Sequence, residues 1–196
     1  GAATISQDVA AVLLKHQGTI GLELVSRLEP GVGDILARHK FDVQLILEEI
    51  DSPALARKIF SEPNASASVY RLRTMSPEVA AVYAERRPGY LGNLNTLSPQ
   101  AAKALASGNQ HLSLPALARL TPDLATALTA RKKSVSLGGL KSLDGPEALA
   151  VAEALASTTA PVYLPRLERI SAPALAALRK KATITIPADE NLTIVK

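Results

Sequence analysis

The chain has 196 residues, 22 Lys and Arg against 18 Asp and Glu, and a formal net charge of +4. It contains no cysteine, which excludes disulfides, thiol chemistry and Cys-ligated zinc. No run reaches 18 apolar residues, since even the alanine-rich stretch around 148–156 holds Glu153, and a hydrophobic membrane-spanning helix is thereby excluded.

In chain order the same signals return about every 23 residues, marked by Pro30, Pro53, Pro77, Pro99, Pro122, Pro146 and Pro173. Ser6 opens a first predicted helix to Leu14, with Val9 and Leu13 on its apolar side. A strand signal follows at Ile20/Leu22, with apolar steps at Val25 and Leu28 before Pro30 and a helix carrying Val32 and Leu36. Val43/Leu45 leads to Ser52-Pro53 and a helix with Leu55 and Ile59. Ala67/Val69, Leu72 and Met75 lead to Ser76-Pro77 and a helix with Val79 and Tyr83. Leu91, Leu94 and Leu97 precede Ser98-Pro99; Leu112/Leu114, Leu117 and Leu120 precede Thr121-Pro122 and a helix with Leu124 and Leu128. Val135/Leu137 and Leu140 precede Pro146; Val162/Leu164, Leu167 and Ile170 precede Pro173 and a helix with Leu175 and Leu178, and Ile184/Ile186 closes the series.

Each signal has a physical cause. A Ser or Thr hydroxyl accepts from a free N–H of the first helical turn, and proline fits the first helical position because its missing N–H has no partner there. Apolar residues two apart mark a short strand, those three or four apart a helix of about three turns. The unit is therefore LxLxxLxxLSPxxAxxLA. One such unit cannot bury its apolar face, so the units must stack around a shared core. A stack of paired helices would need about 33 residues per unit and would not place two-residue alternation before every cap, so it ranks second. With 47 % hydrophobic residues but 3 % aromatic ones, small aliphatic layers are expected. The unbroken repeat predicts a single domain over 1–196, with 1–18 and 184–196 acting as caps. The step from Pro146 to Pro173 is 27 residues, which predicts a longer helix over 148–156 or a bulging loop. The chain begins Gly1-Ala2-Ala3 without methionine, as expected of a trimmed chain or one that has lost a leader.

Segments 112–128 (LSLPALARLTPDLATAL) and 162–170 (VYLPRLERI) resemble the leucine-rich repeat family, in the 23-residue form of bacterial cell-surface proteins. The resemblance covers nearly the whole chain. It implies an α/β fold, a right-handed solenoid of about seven to eight units of short parallel strand plus helix, and a role in binding other macromolecules. It also favours a secreted or cell-envelope setting over the cytoplasm. The family's Asn or Cys ladder after the strand is missing: Val25, Leu72, Leu94, Leu117, Leu140 and Leu167 stand there, so the turn must differ.

Little in the sequence points to catalysis or to a cofactor. His16 and His39 occupy equivalent places near helix ends, where capping is the expected role, and no metal site is expected because no further ligands share their register. His111 starts a strand with no Ser and Asp whose geometry can be argued. Gly31-Val32-Gly33-Asp34 lacks the third glycine of a dinucleotide fingerprint and is expected to be a permissive helix start. Gly138-Gly139-Leu140-Lys141-Ser142 is a fragment of a phosphate loop whose leucine the repeat already assigns to the core.

Lys15-His16, Arg38-His39-Lys40, Arg86-Arg87, Arg131-Lys132-Lys133 and Arg179-Lys180-Lys181 recur at helix ends and would align into a basic edge. Cations there complement the helix dipole, at about 0.3–1 kcal/mol each. With no aromatics interleaved, nucleic acid is not an expected partner; an envelope glycan or another polyanion is the alternative one.

The sharper expectation concerns the strand face. Residues between the core strand positions point outward: Gly21, Gln44, Ser68, Tyr90, Ser113, Ser136, Tyr163 and Thr185. Beside them stand Tyr70 and Gly92, then Arg71, Asn93 and Arg166. Tyr and Arg anchor interfaces more often than other residues. Tyr70, Arg71, Tyr90, Asn93, Tyr163 and Arg166 are therefore the expected contacts for an unidentified protein or peptide, in a non-enzymatic domain without cofactor.

Overall fold

The computed structural model describes residues 3–61, 70–86 and 89–195. The fold is α/β. Among the described residues, eight helices follow one another: α1 (Gln7–Leu13), α2 (Val32–Ala37), α3 (Pro53–Phe60), α4 (Pro77–Arg86), α5 (Pro99–Ala106), α6 (Pro122–Thr129), α7 (Ala148–Ala156) and α8 (Ala172–Arg179). Each packs against the next. At six to ten residues they run two to three turns, most of them shorter than expected.

Short parallel strands lie in two rows, the second of which the sequence pattern does not announce and which is missing before α5 and α6. A first row contains β2 (Ile20–Leu22) paired with β4 (Val43–Leu45), and a sheet in the order β13 (Ile184–Thr185), β11 (Val162–Tyr163), β9 (Val135–Ser136), β8 (Leu112–Ser113), β7 (Gly89–Tyr90). The expected strand at Ala67/Val69 lies outside the described residues. A second row stands just before the helices: β1 (Ala3–Ile5) with β3 (Val25–Leu28), β5 (Glu49–Ile50) with β6 (Thr74–Met75), and β10 (Ser142–Leu143), β12 (Arg169–Ser171) and β14 (Thr193–Val195) together. Units with both strands and a helix thus lie before and after those of α5 and α6, which carry a first-row strand alone, and the apolar residues of all of them meet inside. The buried side chains form one continuous cluster from Ile5 to Leu178.

Caps set the helix starts. Ser52, Ser76, Ser98, Thr121 and Ser171 each accept from the backbone N–H three residues on, at 3.1–3.4 Å. Pro30 and Pro146 do not share this role. Gly31 caps α2 with φ of 81°, a left-handed conformation suited to glycine, and Glu147 precedes α7 without a side-chain bond. The stretched unit absorbs its extra length at 144–147 and in α7, so Val162 still pairs with Val135.

Val9 corrects another expectation. It is 49 % exposed, although the residue three past the cap is buried in the later helices, as at Leu55, Val79, Ala101, Leu124 and Ala174. That position faces the preceding unit, and no described unit precedes α1. At the other end Ile184, Ile186 and Leu192 pack partly buried against the core.

The turn after the first-row strand is closed by backbone. Leu94, Leu140 and Leu167 donate to the carbonyls of Leu91, Leu137 and Leu164 at 3.4, 3.1 and 3.3 Å. Both leucines of each pair are buried. Of the two residues between them, Asn93, Pro165 and Arg166 are exposed at the turn tip, whereas Gly138 is buried and Gly139 packs against the Leu117 backbone of the preceding unit.

Candidate macromolecule-binding face

The parallel register places Tyr90, Ser113, Ser136, Tyr163 and Thr185 in one line across the five-stranded sheet. Two parallel strands lie about 4.8 Å apart, so the Cα atoms of Tyr90 and Tyr163 stand on the order of 14 Å from each other. Between them Ser113 and Ser136 form a low, hydroxylated floor. Tyr90 is 61 % exposed and Tyr163 39 %.

Both rings are held. A Cβ added at Gly92 would lie 2.9 Å from Tyr90 Cε1, so the Tyr90 ring lies close over that glycine. Below it, the buried Tyr83 donates its hydroxyl to the Tyr90 carbonyl at 3.1 Å, tying α4 to β7. The Tyr163 ring meets His111 edge-on, with centroids 6.3 Å apart and planes at 62°. His111 Nδ1 in turn lies 2.7 Å from Ser134 Oγ. The Tyr163 and His111 rings therefore lean toward each other over β9 and bound the serine floor on one side.

The His111–Ser134 pair was not expected, yet its 23-residue spacing is the repeat itself. Chemically it is a cross-strand link. Its hydroxyl sits on Nδ1, and among the described residues no carboxylate is hydrogen-bonded to the ring as an orienting acid. Among the described residues no group of three or more His, Asp and Glu is arranged to hold a metal ion. No helix there is long and apolar enough to cross a membrane.

The remaining expected contacts divide. Tyr70 is 63 % exposed, but it is helical rather than placed beside a strand, and Ser68 lies outside the described residues. Asn93 is engaged within the protein: its Nδ2 donates to the Tyr70 carbonyl at 2.5 Å, joining two units. Arg71 and Arg166 are exposed. Tyr90 and Tyr163 lie on one sheet, and Asn93 and Arg166 in the turns that follow their strands.

Of the helix-end clusters, Arg131 and His39 turn inward, while Lys15, Arg38, Lys40, Arg86 and Arg179 are exposed and Arg87 lies outside the described residues. Arg131 is 4 % exposed. Its Nη1 donates to the Leu105 carbonyl, and its Nη2 to those of Gln110 and Gly108, the last at 3.4 Å. Burial lowers its pKa, while a guanidinium stays cationic. His39 Nε2 donates to the His16 carbonyl at 3.1 Å, and Lys58 Nζ to that of His39 at 2.8 Å. Thr158 Oγ1 continues the pattern to Thr129 at 3.1 Å. These groups cap the carbonyls of the unit before them, where an unpaired buried acceptor is costly. Lys132, Lys133, Lys180 and Lys181 remain exposed.

Charges on the second row neutralise one another. Glu48 lies 4.0 Å from Arg27 and 3.7 Å from Arg73, Lys141 pairs with Glu168 at 3.4 Å, and Asp144 with Arg169 at 2.9 Å. The Ser142 hydroxyl and the Arg169 guanidinium hold the Asp144 carboxyl below its usual range. The first-row line from Tyr90 through Ser113, Ser136 and Tyr163 to Thr185, by contrast, carries no formal charge. Comparison with protein-family models, with curated proteins and with solved structures returns no match.

Proposed function

We propose that the chain is a non-enzymatic, leucine-rich-repeat-like right-handed solenoid whose first strand row binds a protein or peptide. The observation that carries this reading is the line Tyr90, Ser113, Ser136, Tyr163: two held, exposed aromatic rings at either side of a small uncharged floor on one sheet. Rigid tyrosines supply large contact area at little conformational cost, which is the property of an anchor. Neighbouring units fix the sheet, so the rings are presented without ordering a loop.

The experiment is an affinity capture from extract of the source organism. It compares the parent with a Tyr90→Ala/Tyr163→Ala variant at low and at moderate salt. A partner held by the parent at both salts and lost by the variant supports the strand face. If both proteins hold the partner equally and salt releases it, the contact lies on exposed cations such as Lys132, Lys133, Lys180 and Lys181, and an envelope glycan or other polyanion becomes the partner class.

A further inference from the structure

Arg166 stands at the turn tip three residues past Tyr163. It is exposed, and among the described residues no hydrogen bond or ion pair engages it. It lines a hollow of about 460 Å³ together with Lys141, Glu168 and Asn191, walled by Pro165 and Pro187. That volume falls in the range of small-ligand pockets, large enough for a side chain or a chain end.

The charges in this hollow do not balance. Lys141 Nζ lies 3.4 Å from Glu168 Oε1, and their side chains are 63 % and 61 % exposed. A pair so solvated is held weakly and does not fix Lys141 in place. Glu168 offsets one cation, and the Arg166 guanidinium is left over. A guanidinium offers parallel N–H donors in a fixed fork that matches a carboxylate, and the Asn191 amide adds a further donor at the rim. The adjoining strand row carries no charge, so this hollow is where a ligand lying along that row meets an uncompensated cation.

We propose that the hollow receives a carboxylate of the protein or peptide bound on the first strand row, either an acidic side chain or a C-terminal carboxylate. This rests on the function proposed above and narrows it: the partner carries a carboxylate next to the segment that crosses Tyr163. Arg166 is the principal contact, and Lys141 the second cation.

The hollow can be tested without the natural partner. The Arg166 Nε–H and the Asn191 side-chain amide are followed by NMR while three blocked peptides are added at constant ionic strength: N-acetyl-Tyr-Glu-amide, N-acetyl-Tyr-Gly with a free C-terminus, and N-acetyl-Tyr-Gln-amide. The expected result is a saturable shift with one or both carboxylates and none with the glutamine peptide. Which carboxylate saturates first separates the side-chain source from the chain-end source. In Arg166→Gln, followed at Asn191, binding should weaken about tenfold, the loss expected for one charge-assisted contact. Lys141→Gln should weaken it less. Equal shifts with the glutamine peptide, or shifts unchanged in Arg166→Gln, overturn the proposal. If the carboxylates bind here but the natural partner survives Tyr90→Ala/Tyr163→Ala, the strand-face reading fails while the hollow stands.

Discussion

Arg131 Nη1 donates to the backbone carbonyl of Leu105, 26 positions earlier and one unit back, at the end of α5. The last carbonyls of a helix have no partner within it, and here one side chain from the next unit serves Leu105 and Gln110 together. Arg131→Met should take this donor from both, leaving Leu105 the Gly108 N–H at 3.2 Å, and cost about 1–2 kcal/mol. Arg131→Lys should recover only part of this, since an ammonium lacks the planar fork. Urea unfolding of the three proteins measures it; an Arg131→Met midpoint equal to the parent's would remove the capping role.

Two glycines of the stretched unit make opposite predictions. A Cβ at Gly139 would lie 2.6 Å from the backbone N and O of Leu117, and backbone cannot swing aside as a side chain can. Gly139→Ala should therefore destabilise by about 1–3 kcal/mol. A Cβ at Gly145 would have nothing within 4 Å, so Gly145→Ala should change stability by less than about 0.5 kcal/mol. Thermal melts of the pair check the close approach of adjacent units directly.

Helix caps supply a third test. Ser98 Oγ and Thr121 Oγ1 accept from Ala101 and Leu124 at 3.1 and 3.2 Å. Ser98→Ala and Thr121→Ala should each cost about 1 kcal/mol. Because a lost cap frays one helix while each helix packs on the next, amide exchange should rise first in the first turn of α5 or α6.

Acid stability should depend on Asp144. Its folded pKa is depressed by the Ser142 hydroxyl and Arg169. The stabilisation is therefore complete above the ordinary carboxylate range and is lost as pH falls through the lower, folded value. Asp144→Asn should remove this component, so the difference in melting temperature between parent and variant shrinks on acidification. The Arg169 side chain is exposed and Asp144 only partly covered, so the effect should be small and weaken with salt.

Much of the α/β order was legible from local signals. Ser52-Pro53, Ser98-Pro99 and Thr121-Pro122 mark helix starts because a cap and a missing N–H act within one turn. Val135/Leu137 and Val162/Leu164 announce strands because alternation puts one set of side chains inside. The candidate face was legible in part. Tyr90 and Tyr163 follow from strand parity, whereas Asn93 looked free and is bound to the Tyr70 carbonyl. Nothing local marked the second strand row: Leu143 and Ile170 are spaced like turn residues and become strand only by pairing Ser142 with Arg169 and Leu143 with Ile170 in the next unit.

The sequence by itself determined the repeat, the strand-then-helix order and most of the buried aliphatic residues, Val9 of α1 excepted, because these depend on interactions within a unit or on its period. Tertiary structure alone decided that Arg131 is a buried cap rather than part of a basic edge, that His111 reaches Ser134 and Tyr163, and that Arg166 shares a hollow with Lys141 and Asn191. Each of these joins residues from different units. Whether a long polar side chain turns back onto its neighbour or out to water is set by what the neighbouring unit leaves unpaired there, and no local pattern carries that information.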